Sequence, residues 1–129
     1  MSTVSVPVSY GELLDKITIL EIKSDRISQP DRLENVRREL TLLTQVWEQM
    51  GAKVNEVSEA RSRLKTVNTS LWDIEDKIRL KEASNTFDER FVELARAVYV
   101  TNDRRAAIKK EINIALGSEL VEEKSYEPY

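Results

Sequence analysis

The stretch LENVRRELTLLTQVWEQMG, Leu33 to Gly51, decides the fold. Leu33, Val36, Leu40, Leu43, Trp47 and Met50 return at alternating spacings of three and four, the heptad seam of a helix that buries one stripe against a neighbour. Leu42 and Val46 widen the stripe, and Gly51 stands where a left-handed residue closes a helix. A new seam follows at once through Val57, Ala60, Leu64, Val67, Leu71, Ile74 and Ile78, which predicts a helix over 55–83. Phe87, Phe91, Leu94, Ala95, Val98, Ile108, Ile112 and Leu116 line another over 87–117, opened by the capping-box spacing of Thr86 and Glu89 and closed by Gly117.

Upstream, Ser9 and Glu12 make a second Ser-x-x-Glu box and predict a helix over 9–28. Tyr10, Leu13, Leu14, Ile17, Leu20, Ser24 and Ile27 share one of its faces while Ile19 and Ile22 lie on the other, so this helix is covered on two sides. Pro30 and Asp31 break the chain and start the helix over 31–50. Residues 1–8, with Val4, Val6 and Val8 alternating, read as a short extended arm or edge strand. Residues 118–129 have no period and form an irregular tail, expected to dock through Leu120, Val121 and Tyr126. The result is one all-α domain over 1–129, either an antiparallel four-helix bundle or a long hairpin of the last two helices with two shorter helices packed on it.

Composition narrows the chemistry. With 40% hydrophobic and 33% charged residues the chain can fill a core and is not disordered, and a net charge of −3 with interspersed signs gives no sustained positive field, so nucleic acid is not an expected partner. Cysteine and histidine are both absent, which excludes disulfides, thiol nucleophiles, Ser-His-Asp triads and the usual zinc sites. Any catalysis falls to carboxylates. No apolar run approaches the ~20 residues of a membrane span, and the start lacks the basic and apolar parts of a signal peptide, so a cytoplasmic protein is expected.

Certain polar residues fit a plain bundle poorly. Asn68, Trp72, Glu75 and Arg79 form a stripe beside the apolar seam, and Asn102, Arg105 and Lys109 fall in the sector that Phe91, Leu94 and Val98 fill earlier. A hairpin turn near 85–86 sets Asn68 level with Asn102 and Asp103, and Trp72 with Tyr99. Such a cluster either fixes helix register or faces an oligomer partner, or else it serves a site. In the second case Arg104, Arg105, Lys109 and Lys110 hold a phosphate or other acid, with Trp72 or Tyr99 stacking a ring. Asp73, Glu75 and Asp76 are a poor metal set because Glu75 points away from the other two, so neither metal nor cofactor is expected. Asp15, Ile19, Ile22 and Arg26 make the second face of the first helix, read as a contact surface, and Arg37 and Arg38 read as solvated.

The segment SYGELLDKITILEIKSDRI, Ser9 to Ile27, resembles the opening of a family of short bacterial helical proteins catalogued as a domain of unknown function. SLWDIEDKIR at Ser70 to Arg79, VYVTNDRRAAIKKEIN at Val98 to Asn113 and LGSELVEEKSY at Leu116 to Tyr126 resemble its later segments, so the likeness covers nearly the whole chain. A second family is more distantly similar through Leu71, Trp72, Glu75 and Asp76 and the pair Asn102 and Asp103. The resemblance implies a genomic setting near glycosyltransferases of surface-polysaccharide synthesis. It also directs attention to Asp15, Trp72, Glu75, Asp76, Asn102, Asp103 and Arg105; with Asn68 and Lys109 these are the candidate residues. The favoured expectation is a non-catalytic interaction or scaffold module that binds itself or a partner enzyme through surplus apolar faces of the first two helices. The alternative is a binder of, or enzyme on, a phosphorylated or nucleotide-linked sugar, with Arg105 and Lys109 clamping the anion and Glu75 or Asp76 as acid or base.

Overall fold

A computed structural model describes residues 2–129. Its helices are α1 (Tyr10–Arg26), α2 (Pro30–Glu48), α3 (Ser58–Ala83) and α4 (Glu89–Ala115), with a 3-10 segment at Gly51–Val57. Ser9 caps α1 by accepting the Glu12 amide at 3.1 Å, and Pro30 opens α2 where its missing N–H costs nothing.

Three helix starts differ from expectation, the first being α2, which begins at Pro30 ahead of Asp31 with Gln29 at its N-cap and no side-chain cap. After Gly51 turns the chain in the left-handed region (φ 79°), the 3-10 segment delays α3 to Ser58. Residues three apart eclipse in a 3-10 helix, which sets Val54 and Val57 together against the core. At the hairpin turn Thr86 does not cap α4. Asn85 takes a positive φ of 52°, and the Thr86 amide donates back to the Lys81 carbonyl at 2.9 Å, closing the end of α3. Asp88 caps α4 instead, accepting the Phe91 amide at 2.9 Å, and Phe87 is left exposed outside the helix.

α1 is the hub. It packs against α2 on one side and against both α3 and α4 on the other, while the α2 backbone stays away from both helices of the hairpin among the described residues. The arrangement is therefore a long α3–α4 hairpin with α1 laid on it and α2 laid on α1. Leu13, Leu14 and Ile17 meet Trp47 from α2, Ala60 and Leu64 from α3, and Ile108, Ile112 and Leu116 from α4 in one core. That core occupies the half of the hairpin where α3 begins and α4 ends. Farther out Leu94 is fully buried, while Leu80, Phe87 and Val92 are exposed.

The second face of α1 makes its contacts within the fold, where Asp15 and Ile22 are buried, so the helix is covered on two sides. Leu42 and Val46 of α2 remain exposed rather than widening the core seam. Among the described residues the arm forms no strand, and Leu120, Val121 and Tyr126 of the tail stay exposed rather than docking. No helix among the described residues is long and apolar enough to cross a membrane.

Replacing fully buried Leu64 with alanine leaves a cavity at the meeting of three helices and is expected to destabilise by about 2–5 kcal/mol. Leu80→Ala, on the exposed outer half, is expected to stay within about 0.5 kcal/mol of the parent. Urea denaturation followed by circular dichroism checks both, and equal costs would contradict the placement of the core.

Candidate functional site

Asp15 lies midway along α1, only 1% exposed, on the face turned to the hairpin. Its Oδ1 accepts from Asn68 Nδ2 of α3 and from Arg105 Nε of α4, each at 2.9 Å, and its Oδ2 accepts from Arg105 Nη2. The second Asn68 proton goes to Thr18 Oγ1 at 3.0 Å, and Thr18 donates to the Asp15 carbonyl at 2.9 Å. A carboxylate taken out of water needs this complement, a paired guanidinium plus neutral donors on the remaining lone pairs. The bonds it donates to Asp15 hold the Arg105 guanidinium above its ordinary value.

The polar stripe continues down α4 at helical spacing. Buried Lys109 donates from Nζ to Glu12 Oε2 at 2.7 Å and to Glu122 Oε2 of the tail at 2.9 Å. Burial alone lowers the Lys109 ammonium, but the two carboxylates outweigh it and hold it above its ordinary value. Lys109 in turn depresses Glu122. One turn further, Asn113 Oδ1 accepts the Gly11 amide at 2.7 Å. Here the backbones almost touch: a Cβ on Gly11 would lie 2.5 Å from the Lys109 carbonyl oxygen.

Above the Asp15–Arg105 pair opens a groove of ≈ 400 Å³. Asn68, Trp72, Glu75 and Asp76 wall it from α3, Asn102 and Arg105 from α4, and Ile19, Ile22 and Leu71 give it an apolar lining. It thus gathers six of the nine candidates, with Asp15 beneath them. Lys109 sits in a separate recess of ≈ 150 Å³ that shares Asn102 and Arg105. Asp103 lies elsewhere, accepting the Tyr129 hydroxyl. Asp73 is drawn to Arg26 at 2.9 Å, and the described residues hold no group of three metal-ligating side chains.

The charges limit what the groove can hold. Arg105 and Lys109, the anion clamps of the alternative reading, are already compensated by Asp15, Glu12 and Glu122. Glu75 pairs with Arg79 at 3.1 Å, while Asp76 has no ion-pair partner among the described residues. Three carboxylates, Asp15, Glu75 and Asp76, face two guanidinium groups, Arg79 and Arg105, leaving an excess of one negative charge. A phosphate gains little there, whereas a neutral or basic group is well matched.

Gly11, Thr18, Asn113 and Glu122 escaped the sequence reading, and Glu12, read only as a capping residue, pairs with Lys109. Asn113 prolongs the spacing of Arg105 and Lys109, and Gly11 and Thr18 flank Asp15 at helical intervals, so these were within reach of the pattern. Glu122, in an aperiodic tail, carried no such signal.

A sequence profile described as "Family of unknown function (DUF6165)" matches residues 4–129. No curated protein and no solved structure matches.

Gly11→Ala forces the α1 and α4 backbones apart and is expected to lower stability by about 1–3 kcal/mol, read by denaturant titration. Acid should release the tail. Glu122 is depressed in the folded protein, so its contribution is present above the ordinary glutamate value near ~4.3 and is lost as pH falls through its folded value. Lys109 is raised, so its contribution is complete below the ordinary lysine value near ~10.4 and is lost as pH rises through its folded value. Amide shifts of Ser118–Glu123 followed through acid titration should move with a midpoint below that of free glutamate. A midpoint at the free value would contradict the contact.

Proposed function

Because the chain belongs to the DUF6165 family, we propose its role from the groove itself: a non-catalytic helical recognition module whose binding face is the α1–α3–α4 groove. One observation carries this reading. Asn68, Trp72, Glu75, Asp76, Asn102 and Arg105 converge on one open concavity whose floor is held by the buried Asp15 pair. Residues fixed in this way bind with little further loss of side-chain freedom. Asp15, saturated with donors, and Glu75, engaged by Arg79, are poor general acids or bases. The occupant we propose is a segment of a partner protein that sets an apolar side chain against Trp72, Ile19 and Ile22 and a donor or cation against Glu75 and Asp76. The apolar face of α1 is buried within the fold, so only the exposed Leu42 and Val46 of α2 remain of the outward faces. A place beside enzymes of surface-polysaccharide synthesis, in the cytoplasm of a bacterium, is part of the proposal and rests on sequence resemblance rather than on groove chemistry.

Labelling with 5-fluorotryptophan tests it, because Trp72 lines the groove and Trp47 is buried in the core. Short basic and neutral peptides are expected to shift the Trp72 fluorine signal saturably, leave Trp47 unmoved, and lose the effect in Asn102→Phe. Peptides that leave Trp72 unmoved, or whose binding is lost in Leu42→Lys but kept in Asn102→Phe, would refute it.

A further inference from the structure

On the far side of Asn102 from the groove, α4 and the tail enclose a second cavity of ≈ 570 Å³. Three of the protein's four tyrosines, Tyr99, Tyr126 and Tyr129, stand around it. Tyr99 and Tyr129 meet edge to face, with centroids 5.4 Å apart and ring planes at 76°, so they present nearly perpendicular walls. The Tyr129 hydroxyl donates to Asp103, which ties the tail to α4. Tyr126 supplies the third ring, and the Lys124 ammonium lies 5.7 Å from its centroid.

The rings are open to a ligand: Tyr99, Tyr126 and Tyr129 are 46%, 79% and 80% exposed. Aromatic faces carry negative electrostatic potential and attract cations. The carboxylates of Asp103 and Glu127 and the ammonium of Lys124 line the cavity, and Arg104 acts on Tyr129 from beside it. The two carboxylates stand beside the rings where a cation would sit. A bare ammonium is attracted but must give up strongly held water, whereas an alkylated ammonium carries its charge behind an apolar shell and gives up little.

We propose that Tyr99, Tyr126 and Tyr129 form an aromatic cage for an alkylated ammonium group, with Asp103 and Glu127 balancing its charge and Lys124 as the occupant in the free protein. The cage is independent of the groove and stands whether or not the groove binds a partner. Its ligand is either a free quaternary ammonium or a methylated lysine on another chain.

Titration of the full chain with choline, followed by tyrosine ring resonances, tests this. Tyr10 is an internal control, because Lys53 already lies over its ring at 4.4 Å. Choline should shift the three cage tyrosines saturably, and the uncharged isostere 3,3-dimethylbutan-1-ol should bind at least about fivefold more weakly. Tyr126→Leu and Tyr129→Leu should each weaken choline binding about threefold without changing Tm, since both rings are solvent-exposed. Lys124→Ala removes the internal competitor and should tighten binding about threefold, whereas Lys77→Ala, the same charge change on the outside of α3, should not. A trimethyllysine peptide run in parallel shows whether the ammonium is free or protein-borne, and tighter binding of either supports the cage. Equal binding of the neutral isostere, no saturable shift with either ammonium, or a Lys124→Ala affinity that is unchanged, weaker or matched by Lys77→Ala would overturn it.

Discussion

One carboxylate sets the constraint on which the structure depends. Asp15 sits in the middle of the most buried helix, where α3 supplies its carboxyl group with an amide donor and α4 with a guanidinium. Removing Arg105 strands the buried carboxyl group, at a cost of about 3–5 kcal/mol, whereas Arg105 is 30% exposed and can turn to water when Asp15 is lost. The pair therefore works as a register device. Apolar seams allow α1 to slide along the hairpin by a turn with modest loss, but a slide of about 5.4 Å takes Asp15 away from both donors at once. Gly11, whose amide reaches Asn113 where the α1 and α4 backbones nearly touch, fixes the same register two turns away along α4.

This lock also shapes the surface above it. Because α1 supports only the half of the hairpin where α3 begins and α4 ends, the helices open beyond Asn68 and Arg105 into a groove rather than closing over a core. The residues that form the floor of the lock are the same ones that face the groove, so register and recognition share side chains. Lys109 extends the arrangement to the tail through Glu122, and the tail brings its tyrosines beside Asp103 and Tyr99. A helix contact, a groove and a tail are thus linked by one stripe of α4.

The sequence made much of this legible, though unevenly. The seams of α2 and α3 could be read because burial on one side imposes a period, and the inward turn of Asn102, Arg105 and Lys109 could be read because polar residues interrupted such a period. Periodicity states which residues share a face but not what the face meets. Asp15 and Ile22 could accordingly be placed on a second contact face, but that α3 and α4 are what covers it could not be read. Arg105 and Lys109 looked like free anion clamps because their carboxylate partners lie about 90 residues away in sequence or in the aperiodic tail. The Thr86 box failed for a local reason, since the αL turn at Asn85 commits the Thr86 amide to the end of α3 and passes the cap to Asp88.

The central claim, that Asp15 and Arg105 act as one buried unit joining α1 to the hairpin, is tested most directly by a double-mutant cycle on unfolding free energy with Asp15→Ala, Arg105→Ala and the double variant. The account predicts that Arg105→Ala is severe and that the double variant is less destabilised than the sum of the single changes, by a coupling of about 1.5–3 kcal/mol. Additive effects within about 0.5 kcal/mol would mean that the two residues do not depend on each other, and would contradict it.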